Sequence, residues 1–167
     1  IAVCVDGPHA VAAVPLDLEK LGCDFFAASC HKWLSAPCGS GFLYVHPRMR
    51  AKIQPVIVSW GASLSGKPAT WQDEFNWLGT RDPACFLATP AAIQFLQEFG
   101  IDKFRQQSHG LAQYARQQIV AVTGVEPMVP DDPAWYGTML TLPLPESVLE
   151  PRDWLMHPLQ AALWERY

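Results

Sequence analysis

The sequence predicts an α/β protein, and three observations carry that expectation. Residues 1–6, 24–28 and 41–45 are short apolar runs rich in strand-favouring side chains. A single helical pattern at 16–21 separates the first two runs, the grammar of a strand–helix–strand layer. Two longer segments, 82–99 and 102–122, then carry helix signals.

The elements follow in order. Residues 1–6 are a continuous β-rich run rather than an alternating one, as in a strand buried on both faces of a parallel sheet. The run stops at Asp6-Gly7-Pro8-His9, which is turn chemistry. The crossover at 16–21 closes with Gly22 as its C′ residue. Residues 24–28 are a second buried strand and 41–45 a third, and 48–54 allow one or two helical turns after Pro47. From 58 to 79 the chain is rich in Gly, Ser and Trp with little periodicity, a long ordered loop of the kind that usually serves function. Asp82 as N-cap and Pro83 at the first helical position start a helix that runs to about Phe99, where Gly100 ends it. A second helix over 102–122 ends before Gly124. The proline-rich stretch 127–133 marks the entry to a smaller α/β unit, with a strand over 137–142 and a helix over 152–166.

Composition narrows the function classes. Half of the 167 residues are hydrophobic and 17% are charged, too few and too mixed for a disordered chain. The net charge of −4 offers no basic excess to counter a phosphate backbone, so no nucleic-acid partner is expected. The uncharged stretch around 25–45 is broken by His31, Lys32, glycines and a proline, so no membrane span is expected either. Five cysteines without a Cys-x-x-Cys pair suit a reducing compartment, hence the cytoplasm. The chain opens at Ile1 directly on an apolar run, with no initiator Met or signal peptide, as expected of a piece of a longer protein.

The chemistry concentrates around Lys32, the one charged side chain between Phe25 and Val45. An amine crowded by apolar neighbours loses hydration, and desolvation favours its neutral, nucleophilic form, which condenses with carbonyls. The alternative is a lysine that snorkels to the surface from a strand-to-loop corner. Asp6 ends one strand and Lys32 follows the next, at the edge where open α/β sheets bind ligands. An acid there can hold the protonated pyridine nitrogen of a cofactor whose aldehyde the lysine holds, or it can simply cap its turn. His9 can donate to a phenolic oxygen or to a nearby backbone group. Ser29 and His31 are candidate phosphate donors; a Ser–His catalytic pairing competes, though no nucleophile-elbow pattern surrounds Ser29. Thr80, at a helix entry, suits an anion or merely caps the helix. Cys30, His31 and Cys38 match no standard zinc spacing, so no metal is expected.

These residues lie in VDGPHAVAAVPLDLEKLGCDFFAASCHKWLSAPCGSGFLYV, which closely resembles the class V aminotransferase family of fold-type I pyridoxal-phosphate enzymes. The later GTRDPACFLATPAAIQFLQEFG is similar to the branch related to isopenicillin N epimerase, and the motifs stand in the expected order and separation. The resemblance implies part of a three-layer α/β sandwich: 1–125 as the C-terminal half of the large cofactor-binding domain, 126–167 as the start of a small domain. It implies pyridoxal 5'-phosphate as cofactor, Lys32 as the Schiff-base lysine and Asp6 as partner of the pyridine nitrogen. His9 then stands near the phenolic oxygen, and Ser29 and His31 bind phosphate. Thr80 reaches the phosphate in a neighbouring subunit, which implies a homodimer. Pro8 departs from the alanine common at its position and should alter packing more than chemistry.

The resemblance further implies a reaction at the α-amino group or α-carbon of an amino acid, epimerase- or aminotransferase-like. The family's ring-stacking aromatic and substrate-carboxylate arginine match nothing within 1–167. Cysteine desulfurase activity is the alternative within the family. It needs a reactive cysteine on a mobile loop, and Cys38 and Cys85 are expected inside or beside packed elements. A chain that folds without binding cofactor, and without turnover by itself, is the alternative of another class.

Overall fold

In the computed structural model, which describes residues 1–58, 60–62, 70–76, 79–145 and 157–167, three strands form one mixed sheet in the order β1-β2-β3. Strand β1 (Cys4–Asp6) runs parallel to β2 (Phe25–Ser29), with Asp6 opposite Ala27. Strand β3 (Gly41–Val45) runs antiparallel to β2, with Ser29 opposite Gly41. The crossover holds the short helix α1 (Leu18–Leu21). The Asp17 carboxylate accepts from the N–H groups of Glu19 and Lys20, and Gly22 closes the helix in the left-handed region at φ 69°.

Strand β2 alternates in burial, and Phe26 at its centre is 1% exposed. With Cys23 and Ala28 it forms the core, against which Val5, Ala10, Val11, Leu18 and Tyr44 pack. The turn after β1 crosses directly over the Phe26 ring: a Cβ on Gly7 would lie 2.2 Å from Phe26 Cζ, so only glycine fits. Strand β1 is not buried on both faces as its composition suggests. Cys4 and Asp6 are exposed and Val5 is half-buried, because a three-stranded sheet with one short crossover leaves that edge open.

A 3-10 turn at Pro47–Lys52 follows the sheet. Of the expected long loop, a 3-10 turn at Trp60–Ala62 and helix α2 (Asp73–Asn76) are seen, while 59, 63–69 and 77–78 lie outside the described residues. Helix α3 (Ala84–Phe99) starts beside the Asp82 carboxylate, which accepts from Ala84 N–H at 2.8 Å. It continues through Pro90 and stops at Gly100. Helix α4 (Ile101–Thr123) ends at Gly124, whose φ is 68° and whose N–H reaches Val120 O at 2.8 Å.

The chain divides into two compact units, Ile1–Phe104 and Arg105–Tyr167. In the second unit the buried Arg116 donates to Val129 O at 2.7 Å, and its guanidinium lies over Tyr136. Tyr136 donates to Asp131, and His109 donates through Nδ1 to Gly137 O at 3.2 Å. The expected strand over 137–142 does not form: these residues lie on irregular backbone, with no ladder partner among the described residues to satisfy a strand's N–H and C=O groups. Helix α5 (Pro158–Arg166) is capped by His157; the start of the expected helix, 152–156, lies outside the described residues.

Candidate active site

The carboxyl ends of β1 and β2 lie side by side because the two strands are parallel and in register. The loop leaving β1 carries His9, and the loop leaving β2 carries Lys32. Lys32 Nζ and His9 Nε2 meet at 2.8 Å. Which of the two nitrogens donates follows the His9 tautomer.

An open concavity of about 450 Å³, of whose lining Lys32 and His9 are not part, is formed by Asp6, Ser29 and His31, with Ser40, Gly41 and Phe42. Asp6 and His31 are exposed, while Ser29 and Lys32 are half-buried, so Lys32 is less sheltered than its apolar neighbours suggest. Among the described residues, nothing takes up the Asp6 carboxylate, the Ser29 hydroxyl or the His31 imidazole. Such a set of open acid, hydroxyl and imidazole groups costs little while water reaches it, and it is ready for a ligand.

The Lys32 loop is braced. Cys30 N–H bonds to Ser40 O at 3.0 Å and Ala36 N–H to Cys30 O at 3.0 Å, closing its neck. Ser35 N–H bonds to Lys32 O at 2.9 Å, forming the turn that presents the lysine. Trp33 tilts against Phe104 with ring centroids 6.5 Å apart. Helix α3 supports the far side. Thr89 donates to the buried Ser40 hydroxyl at 3.2 Å, and Cys85 Sγ sits 3.3 Å from where a Cβ of Gly39 would be. Among the described residues, the non-glycine residues with left-handed backbone are Ala12 at φ 65° and Ser35 at φ 62°, three residues after His9 and Lys32 respectively. Each costs about 1–2 kcal/mol.

The structure thus brings Asp6, Ser29 and His31 to one concavity and joins Lys32 to His9. Thr80 is not brought there: it is exposed on the bend before α3 and does not line the concavity. No group of three His, Cys, Asp or Glu side chains comes together as a metal site among the described residues, Cys30, His31 and Cys38 included. Cys38 is exposed rather than packed, on the same braced loop, while Cys85 is half-buried in α3. The second wall of the concavity escaped the sequence reasoning; the Gly39-Ser40-Gly41 run, small residues entering a strand, was the signal available.

The donor set fits pyridoxal phosphate on chemical grounds: an amine for an aldehyde, a carboxylate for a ring nitrogen, and hydroxyl and imidazole groups for a phosphate, all on one sheet edge. Among the described residues, no helix is long and apolar enough to cross a membrane.

Residues 1–152 match the family model described as aminotransferase class-V. Isopenicillin N epimerase of Streptomyces clavuligerus is 36% identical, the match covering 100% of this chain and 43% of that protein. The isopenicillin N epimerase of Amycolatopsis lactamdurans is 33% identical, again over 100% of this chain and 43% of that protein. Among solved structures, the apo cysteine desulfurase of Thermococcus onnurineus NA1 superposes with a TM-score of 0.74 at 21% identity, covering 98% of this chain and 40% of that one, a likeness of fold alone. A C-DES mutant with glycine covalently linked to its PLP cofactor gives a TM-score of 0.60 at 28% identity, over 70% of this chain and 32% of that one. The chain therefore spans less than half the length of the epimerases it matches.

Proposed function

The chain belongs to the class-V aminotransferase family, its sheet and helices form part of a fold-type I α/β domain, and from that premise we propose that it is the lysine-bearing portion of an enzyme acting at the α-amino group or α-carbon of an amino acid. Its cofactor is pyridoxal 5'-phosphate. Residues 1–125 belong to the large cofactor-binding domain and 126–167 begin the small one. The enzyme works in the cytoplasm as a homodimer, with Thr80 serving the neighbouring subunit's phosphate. The exposed place of Thr80 outside the concavity is compatible with that reach.

The observations that carry this reading are the meeting of Lys32 with His9 at 2.8 Å and a concavity lined by Asp6, Ser29 and His31 at the carboxyl ends of the same two strands. Lys32 would hold the aldehyde, Asp6 the ring nitrogen, and Ser29 and His31 the phosphate. Bound there, pyridoxal phosphate supplies an electron sink for the electrons of a bond broken at Cα. The Lys32 amine, once free, removes and returns the proton at Cα. The Asp6 carboxylate would keep a proton on the ring nitrogen, which is electrostatic stabilisation of the charge that develops.

Epimerisation is the reaction best supported, since the epimerases match the whole chain. Desulfuration would recruit a cysteine, and exposed Cys38 is the accessible one beside the concavity. The loop that holds it is closed at its neck by the Cys30–Ser40 and Ala36–Cys30 bonds, which does not suit a nucleophile that must travel.

The test is covalent capture. In the cofactor-loaded protein that carries this chain, borohydride should fix the cofactor's mass on Lys32, located by peptide mapping, and Lys32→Ala should abolish both the fixed mass and turnover. A Lys32→Ala protein that still captures cofactor covalently and turns over would falsify the assignment. A wild-type protein that captures none would favour the non-catalytic alternative.

A further inference from the structure

Strand β1 has little of its own to fix its register. It is three residues long, with Cys4 and Asp6 exposed and Val5 half-buried, so its burial pattern resists a slip only weakly. Yet the register decides the site. Asp6 stands opposite Ala27, and a slip of one residue moves it about 3.3 Å and turns it to the other face. At the site end, Gly7 N–H bonds to Ala27 O at 2.9 Å, and the close approach to Phe26 excludes any side chain there. A stronger grip lies at the other end. Val3 O accepts from the N–H groups of Asp24 and Phe25 at 3.0 and 3.1 Å, and Val3 N–H donates to the buried Asp24 carboxylate at 2.8 Å. Arg48 Nε takes the other carboxylate oxygen at 2.7 Å. The residue before β2 thus holds both backbone polar groups of the residue before β1. Any slip breaks these bonds and leaves a buried carboxylate short of a donor, which is costly.

Resting on the reading of Asp6 as the partner of the ring nitrogen, we propose that Asp24 is a positioning residue: its bond to Val3 N–H pins the register of β1 and so places Asp6 at the concavity. Asp24 acts from the opposite end of the sheet and touches nothing in the site. Its two carboxylate bonds have separate tasks. The Val3 bond holds a strand in place, and the Arg48 bond holds the buried charge. Losing Arg48 costs stability and leaves the pin. Losing the Val3 N–H leaves the ion pair and lets β1 shift. The two bonds can be removed one at a time. Val3 is 51% exposed, so Val3→Pro deletes the N–H without emptying the core and keeps the carbonyl that Asp24 and Phe25 use. Proline is tolerated at the start of a strand.

The experiment uses the cofactor-loaded protein that carries this chain, in the variants Val3→Pro, Arg48→Met and Asp24→Ala. Residue-resolved hydrogen exchange reads the pin at the Gly7 amide, the site-end bond between β1 and β2. Its protection is scaled to that of the β2–β3 ladder, so that changes in global stability cancel. In Val3→Pro the scaled protection should fall about tenfold or more, the worth of one hydrogen bond to a charged group. Exchange of a substrate's α-deuterium should slow with it. Arg48→Met should lower stability in urea and move neither readout. Asp24→Ala should show all three losses, and the other two variants decide the matter if it does not fold. Unchanged scaled protection in Val3→Pro, or an equal fall in Arg48→Met, overturns the pin. Lost protection with undiminished deuterium exchange overturns the placing of Asp6. Asp6→Asn tells that failure from failure of the underlying reading: if it too leaves deuterium exchange unaltered, the role of Asp6 is what has failed, and the placing role falls with it.

Discussion

The two ends of strand β2 carry polar clusters of opposite character. At the amino end Asp24 is 5% exposed and fully engaged: its carboxylate accepts from Val3 N–H at 2.8 Å and from Arg48 Nε at 2.7 Å. Arg48 also donates to Gly22 O at 3.2 Å, so one ion pair ties together the start of the chain, the crossover and the 3-10 turn. At the carboxyl end Asp6, Ser29 and His31 line an open concavity without protein partners among the described residues. Five residues of strand thus separate a saturated cluster from an unsaturated one. Saturation is what a structural charge needs, since a buried carboxylate without its donors is costly. Open donors facing solvent are what a ligand site needs, because water holds them at little cost until the ligand displaces it.

Several substitutions sharpen this contrast. The largest effect should come from the open end. Asp6→Asn removes the charge proposed to hold the ring nitrogen and should slow exchange of a substrate's α-deuterium by several powers of ten, each ~1.4 kcal/mol of lost stabilisation being tenfold. Urea unfolding should hardly change, because the Asp6 carboxylate is exposed at the sheet edge. Unaltered exchange would remove Asp6 from the chemistry.

Next comes the middle of the strand. Phe26→Ala empties the best-buried position and should cost about 3–5 kcal/mol of stability in urea titrations, with Gly7 and the Asp6 turn losing their floor. A loss below about 1 kcal/mol would show that the core lies elsewhere.

The closed end should show itself in acid. The hydrogen bond from Arg48, with that from Val3 N–H, holds the Asp24 carboxyl below its ordinary value. A carboxylate depressed in the folded state contributes stability that is present above the unfolded value and lost as pH falls through the folded one. Stability should therefore decline below a pH of about 4, and Asp24→Asn should lower stability at neutral pH while flattening that decline. Identical acid profiles for the two proteins would count against the clamp. The smallest effect belongs to Ser35, whose left-handed backbone suits glycine. Relief of strain and the added freedom of the unfolded chain oppose each other, so Ser35→Gly should shift stability by less than about 1 kcal/mol. Its borohydride labelling at Lys32 should nonetheless fall as the turn loosens.

Local signals were legible wherever the chemistry is local. Gly22 closes α1, Gly100 and Gly124 end α3 and α4, and the three apolar runs are the three strands, because capping and left-handed turns depend on single residues and their neighbours. The strand expected over 137–142 was misjudged for the complementary reason: strand propensity is realised only when a ladder partner is present.

The site divides along the same line. Sequence alone singled out Lys32, Asp6, His9, Ser29 and His31, since an isolated lysine in an apolar run and an acid at a strand end are visible as residue types in order. Their assembly was a tertiary decision. Parallel register between β1 and β2 puts both loops on one edge, and the 2.8 Å meeting of Lys32 with His9 joins side chains 23 residues apart. The bracing of the Lys32 loop by Thr89 and Cys85 joins segments more distant still. A sequence specifies donors and acceptors residue by residue. Which of them saturate one another, as at Asp24, and which remain open, as at Asp6, depends on distances that only the folded chain sets.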